Sequence, residues 1–152
     1  MIQIRQASPA DTEVLIALSR HTIRASYPPF LGQEAVEAFI GCGAADHYVA
    51  DHIEDGTVLL IEDEIVGYAV CKGQLIDLIL IDPRWQRCGL GTRLLQHCEA
   101  VLFQYYDTLT LESFADNHIA NNFYRKHGWD NVTRHVDHES GVHKLVFRKS
   151  AP

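Results

Sequence analysis

The sequence predicts a mixed α/β domain with its sheet covered by helices, and three features carry that prediction. Residues 57–81 hold three β-rich runs in succession, divided by short turns. Residues 89–102 carry one apolar stripe at helical spacing. Strand-like and helix-like segments then alternate to the C-terminus, giving the order β-α-α-β-β-β-α-β-α-β-β with no repeat, linker or low-complexity tract. At 152 residues, 47% of them hydrophobic, the chain can bury one real core, so residues 1–152 are expected to form a single domain.

Each element follows from local chemistry. "IQIRQA" alternates as a short strand, and "SPADTEVLIALSRHTIRASY" offers Ser8 or Asp11 as a helix cap while setting Leu15, Leu18 and Ile23 on one face. Residues 28–56 read as a bend and two short helices, broken around Gly41 to Gly43 because proline and glycine interrupt helical spacing. "TVLLIE", "EIVGYAVCK" and "QLIDLILI" are strands, with turns at Asp63-Glu64 and Gly73-Gln74, which predicts a meander of antiparallel hairpins. After Gly89, the residues Leu90, Leu94, Leu95, Cys98 and Leu102 line one side of a helix. "DTLTLES" is a strand, "NHIANNFYRKHG" a helix stopped by Gly128, and "WDNVTRHVD" with "VHKLVFRK" a final pair turning around Ser140-Gly141.

Composition narrows the partners. A formal net charge of -7 opposes the phosphate-neutralising surface that nucleic-acid binding requires, and favours cationic or neutral small partners instead. The N-terminal "MIQIRQASPADTEV" turns polar too soon for a signal peptide, and no apolar run approaches the ~20 residues of a membrane span, so a soluble cytoplasmic protein is expected. Cys42, Cys71, Cys88 and Cys98 form no CxxC pair and read as reduced thiols.

The chemistry concentrates in "PRWQRCGLGTRLL", residues 83–95, where a strand passes through a glycine-bearing turn into a helix. Such a turn presents unpaired N–H groups and the positive end of the helix dipole, a setting that binds anions and phosphates above all. Gly89 and Gly91 let a ligand oxygen approach the main chain, and Thr92 adds a hydroxyl donor. The turn lacks the lysine of a Walker A loop, and Leu94 stands where a dinucleotide fingerprint needs its third glycine. Taken alone it is equally a strand-to-helix turn that uses glycine for sterics.

Two segments together resolve the ambiguity. "QRCGLG", residues 86–91, resembles the Q/R-x-x-G-x-G/A signature of the GCN5-related N-acetyltransferase (GNAT) superfamily, and the preceding "LILIDP" resembles its fourth strand, with Ile81 and Pro83 in the V-x-P pattern. Downstream, "NHIANNFYRKHGW" is similar to the family's N-x-x-A-x-x-F/L-Y-x-x-x-G-F/W segment through Asn117, Ala120, Phe123, Tyr124, Gly128 and Trp129. The resemblance covers nearly the whole chain. It implies the GNAT acyl-CoA N-acyltransferase fold: a central, mostly antiparallel sheet with splayed fourth and fifth strands, flanked by helices. It also implies acetyl-CoA as co-substrate without a metal, and direct acetyl transfer to a primary amine of a small molecule or peptide. For assembly it implies a homodimer through the C-terminal strands or helices.

Carried over residue by residue, the resemblance assigns the pyrophosphate to the N–H groups of Arg87, Cys88, Gly89, Leu90, Gly91 and Thr92, with Gln86 opening the turn. The pantetheine amides fall to Ile79, Leu80 and Ile81, so that a ligand stands in for a strand. Asn117 matches the position that bonds the pantetheine arm, and Tyr124 the hydroxyl beside the thioester sulfur. Phe123 joins the cofactor wall, although with Ala120 its helical spacing also fits plain packing. Tyr27 and Phe30 fall in the loop that borders the acceptor pocket in this family, or else cap the core.

Two proton problems define the reaction. An amine with a pKa near ~10.4 must lose a proton at pH 7, and a leaving thiolate with a thiol pKa of ~8.5 must gain one. Tyr124 is the expected acid. Asp77, expected to share a strand face with Ile79 and Ile81, and Glu112, in the neighbouring strand, are candidate bases; water relaying the proton needs neither. Cys88 as an acyl nucleophile is disfavoured because its neighbours belong to the pyrophosphate end. His135, His138 and His143 fit no structural zinc spacing and read as an exposed hairpin. The alternative from another class is a catalytically inactive acyl-CoA-binding sensor or protein-interaction module, against which the presence of Asn117 and Tyr124 argues.

Overall fold

A computed structural model describes residues 1–138 and 140–152. Seven strands form one sheet in the order β1-β2-β3-β4-β5-β7-β6: β1 (Ile2–Gln6), β2 (Gly56–Ile61), β3 (Glu64–Lys72), β4 (Leu75–Ile81), β5 (Thr108–Phe114), β6 (Asp130–Val136) and β7 (His143–Ser150). All neighbours are antiparallel except β4 and β5. The expected meander is β2-β3-β4, and the mixed α/β architecture is as predicted.

Helices cover both faces. The apolar stripe after Gly89 becomes α5 (Leu90–Leu102), with Leu94 and Leu95 at 0% exposure. With α6 (His118–Lys126), it packs over Leu59, Val66, Ile76, Leu109 and Leu111. On the other face, α1 (Thr12–Ser26) inserts Leu15 and Leu18 against Val58, Tyr68 and Val70, joined by Val49 of α4 (Ala44–Asp51). The alternation of the β-runs sorts the side chains between these two layers.

Residues 28–56 hold more helix than the sequence suggests. The expected bend is itself a four-residue helix, α2 (Pro28–Leu31), followed by α3 (Gln33–Gly41) and α4. Proline fits a first helical turn because the missing N–H has no partner there in any case. Gly43, with φ 86°, makes the break before α4. Before α1, residues Pro9–Asp11 form a single 3-10 turn in which the Asp11 carboxylate accepts from Ser8 N at 2.8 Å and binds the Arg5 guanidinium.

One buried polar network locks the C-terminal half. Glu99 of α5, 7% exposed, accepts from Trp129 Nε1 at 3.0 Å and from Lys149 Nζ at 2.7 Å. Lys149 also donates to the His127 carbonyl at 2.8 Å. The charge is paired and its oxygens are satisfied, which a buried carboxylate requires. No helix among the described residues is long and apolar enough to cross a membrane.

Candidate active site

The sheet is closed between β4 and β5 for only two register positions, Leu75 with Thr110 and Ile76 with Leu111. Beyond them the strands diverge, leaving a wedge between residues 77–81 of β4 and 112–114 of β5. A β-bulge lies at the point of divergence: Val70 pairs with Leu78 and Cys71 with Ile76, so Asp77 has no partner on β3.

Past the bulge, the Asp82 N–H donates to Val66 O at 2.8 Å. Antiparallel alternation therefore turns the main-chain groups of Leu80 toward β3, opposite Tyr68, and those of Ile79 and Ile81 toward the wedge. The Ile81 carbonyl is indeed reached from the open side, by Gln86 Nε2 at 3.0 Å. Of the three predicted strand residues, Ile79 and Ile81 line the opening; Leu80 is corrected, because its main chain is committed to β3 and its side chain is buried.

The glycine turn stands at the wide end of the wedge. Asp82 caps the 3-10 turn Pro83–Trp85 by accepting from Arg84 N at 2.9 Å, and the chain then exposes Gln86, Arg87, Cys88 and Gly89. Arg87 (φ 63°) and Gly89 (φ 81°) are both left-handed. The first helical N–H with a main-chain acceptor is Arg93, bonded to Gly89 O at 3.2 Å. The N–H groups from Arg87 to Thr92 precede it, forming an anion-ready concavity. Gly91 faces α6: a Cβ there would sit 3.4 Å from Phe123 Cζ. The Thr92 hydroxyl is already engaged, 2.7 Å from His127 Nε2. Burial holds the His127 imidazole below its ordinary pKa, so the ring is neutral at pH 7.

From α6 come three predicted residues. Asn117 caps the helix, its Oδ1 accepting from Ala120 N at 3.3 Å, a bond that does not use the amide NH2. Phe123 is half-buried against Gly91, as described above. Tyr124 is 8% exposed, its ring against Phe123, Trp129 and Phe147. Burial pushes its phenol pKa well above the usual value, and Tyr27 on the opposite face adds to the shift. The hydroxyl therefore stays protonated at neutral pH and holds its proton more tightly than a free phenol. Asn121, which the sequence reading missed, is 1% exposed and ties α6 to the end of β5 through the carbonyls of Phe114 and Ala115.

The two candidate carboxylates have different fates. Asp77 was expected on one face with Ile79 and Ile81; the bulge breaks that alternation and is the reason for the correction. Its carboxylate accepts from the Tyr48 hydroxyl on α4 and lies 3.4 Å from Lys72 Nζ, whereas Ile79 and Ile81 pack toward α5 and α6. Glu112 is the first β5 residue beyond the closed segment, exposed, and hydrogen-bonded to His135 Nε2 on β6.

An aromatic wall borders the Glu112 face of β5. Tyr27 and Phe30 lie with ring centroids 5.2 Å apart, and both meet Phe114, at 5.8 Å and 5.4 Å. Phe30 and Phe114 also line a cavity of about 160 Å³ with Asp116, Arg134 and His143. The sequence offered Tyr27 and Phe30 but not Phe114, whose signal was its two-residue spacing from Glu112. A larger cleft of about 310 Å³, lined in part by Glu54, Asp55, Cys71 and Cys98, holds none of the predicted site residues. Cys88 is exposed on the glycine turn. His135 and His143 are separately engaged, with Glu112 and with Arg134 Nε at 3.3 Å.

Comparison with known families matches residues 20–129 to the Acetyltransferase (GNAT) family. Solved structures share the fold across the chain. The GCN5-related N-acetyltransferase of Rhodopseudomonas palustris has a TM-score of 0.86 at 21% identity, covering 98% of this chain and 95% of that one. The PaiA N-acetyltransferase of Thermoplasma acidophilum, solved with coenzyme A, has a TM-score of 0.83 at 17% identity over 99% of both chains. The ribosomal-protein-S18-alanine N-acetyltransferase of Escherichia coli has a TM-score of 0.73 at 18% identity, over 99% of this chain and 94% of its own. A comparison with curated protein sequences finds no match.

Proposed function

The chain belongs to the GNAT family of acetyltransferases, and from that premise we propose that it moves an acetyl group directly from acetyl-CoA to a primary amine of a small molecule or peptide. The observation that carries this reading is the wedge itself: a strand edge whose Ile79 and Ile81 main-chain groups face away from β3, with the Ile81 carbonyl held by the Gln86 side chain, open between the glycine turn at one end and α6 with Tyr124. A pantetheine arm has amides that suit such an edge, and its pyrophosphate suits the N–H groups from Arg87 to Thr92. Gln86 would exchange its bond to Ile81 O for a ligand contact. Asn117 contributes its free amide NH2, and Phe123 a wall.

The chemistry asks for two proton transfers. Deprotonating an amine of pKa ~10.4 at pH 7 costs about 4.6 kcal/mol, from a gap of roughly 3.4 units at ~1.36 kcal/mol each. Glu112 is the base we favour, because its carboxylate stands at the narrow end of the wedge on the face walled by Tyr27, Phe30 and Phe114. Asp77 is held by Tyr48 and Lys72 on the bulge and serves that fixed pair instead. The amine nitrogen attacks the thioester carbonyl, the N–H groups at the wedge edge steady the oxygen charge, and Tyr124 donates its proton to the departing sulfur.

The test is free-thiol release from acetyl-CoA across a panel of amines, peptide N-termini and lysine peptides. Turnover with intersecting initial-rate patterns is expected, since donor and acceptor must be bound together. Tight CoA binding with no turnover on any amine would overturn the enzyme reading in favour of a sensor, and parallel patterns would overturn direct transfer.

A further inference from the structure

We infer that His135 is a positioning residue for acetyl transfer, fixing the Glu112 carboxylate so that one oxygen stays directed at the acceptor amine. This rests on the reading of Glu112 as the base. The register supplies the geometry. Glu112 of β5 lies opposite Val146 of β7, a neighbour with no polar side-chain group, and His135 of β6 lies opposite Lys144 of β7. The imidazole therefore reaches diagonally across β7, from the level of Phe114, to place Nε2 on Glu112 Oε1.

Among the described residues, His135 is the side chain bonded to the Glu112 carboxylate. Lys144, opposite Phe114, and Arg148, opposite Thr110, are the two cations next in register on β7, and Lys144 is drawn over the Phe114 ring, 5.4 Å from its centroid. Arg134 and His143 bond each other. Glu112 is exposed and has three rotatable side-chain bonds, so without a partner its carboxylate would sample many directions. A ring nitrogen donating to Oε1 selects one orientation and leaves the lone pairs of Oε2 for the amine. Nε2 donates whether the imidazole is charged or neutral with its proton on that nitrogen. A base must be within hydrogen-bond reach of the proton it takes, and orientation by a partner of the base is the usual way to keep it there.

β6 gives His135 no packing reason to be where it is. Every residue of the strand is exposed, and the strand is the outer edge of the sheet. A histidine at this position has a side-chain partner across two strands and no place in the core.

The experiment compares His135→Ala, His135→Gln and Glu112→Gln in the full chain, with folding checked by thermal melts. Glu112→Gln should lower kcat by about 100-fold, the scale of a lost general base. His135→Ala should lower kcat by roughly tenfold, as loss of an orienting partner does, with KM for acetyl-CoA unchanged. His135→Gln retains an N–H donor and should recover most of that loss. The double variant Glu112→Gln with His135→Ala should be no slower than Glu112→Gln alone. If His135→Ala keeps the parent kcat while Glu112→Gln does not, the positioning role is overturned and the base stands. Equal losses in His135→Ala and His135→Gln would also overturn it. If Glu112→Gln keeps the parent kcat, the base reading fails and takes this inference with it.

Discussion

Gly89→Ala separates backbone strain from ligand approach at the glycine turn. Gly89 holds φ at 81°, and a Cβ added there meets nothing within 4 Å. The free protein should therefore pay only for a left-handed non-glycine residue, about 1–2 kcal/mol. For a chain of this size, 1 kcal/mol moves Tm by roughly 2–4 °C, so the melt should fall by about 2–8 °C. The added methyl would enter open space at the turn to which the proposed function assigns the pyrophosphate. Calorimetry of coenzyme A binding should show a loss of at least about tenfold, equivalent to ~1.4 kcal/mol, beyond what stability explains. Gly91→Ala is the comparison without left-handed strain, since its φ is not positive and its Cβ would meet Phe123 Cζ at 3.4 Å, an ordinary contact distance. A folded Gly89→Ala protein with unchanged coenzyme A affinity would refute the pyrophosphate assignment, and an unchanged Tm would refute the strain argument.

Two further outcomes follow from buried protons. Tyr124→Phe removes a hydroxyl whose burial keeps it protonated at neutral pH, so kcat should fall by about 100-fold or more while coenzyme A affinity is kept; single-turnover rates equal to the parent would exclude it from the proton path. Asp11, 8% exposed, is held by Arg5 and the Ser8 N–H so that its pKa drops from 3.8 to about 2. A depressed carboxylate stabilises the fold above its unfolded pKa and loses that contribution as pH falls through the folded one. The gap of roughly 2 units corresponds to about 2.5 kcal/mol, discounted to ~1–2 because the Arg5 side chain is 37% exposed. Urea melts of Asp11→Asn should be less stable than the parent near pH 6 and converge with it toward pH 2; a constant gap across that range would contradict the linkage.

Much of the fold is legible in the sequence. The glycine turn and the "NHIANNFYRKHGW" segment are readable because their demands fall on residue type: glycines where a strand passes into a helix, and Gly128 where the next helix stops; the contact of Gly91 with Phe123 and the cap at Asn117 emerge only in the fold. The β2-β3-β4 meander is readable because its turns are polar and its runs alternate. What the sequence hid were relations between strands. A bulge shifts register by a single residue and has no residue signature, so the face of Asp77 could not be foreseen, nor the commitment of Leu80 to β3. The partnership of His135 with Glu112 spans two strand neighbours, and Phe114 joins Tyr27 and Phe30 only in the fold.

The short closure between β4 and β5 also has a mechanical meaning. Strands β1 to β4 and strands β5, β7 and β6 are two plates sharing a seam only two residue pairs long, at Leu75–Thr110 and Ile76–Leu111. A molecule lying in the wedge and bonded to both plates would lengthen it, acting as a weld as well as a reactant. Release of such a molecule would undo the weld, so occupancy of the wedge would couple to how firmly the two plates are joined.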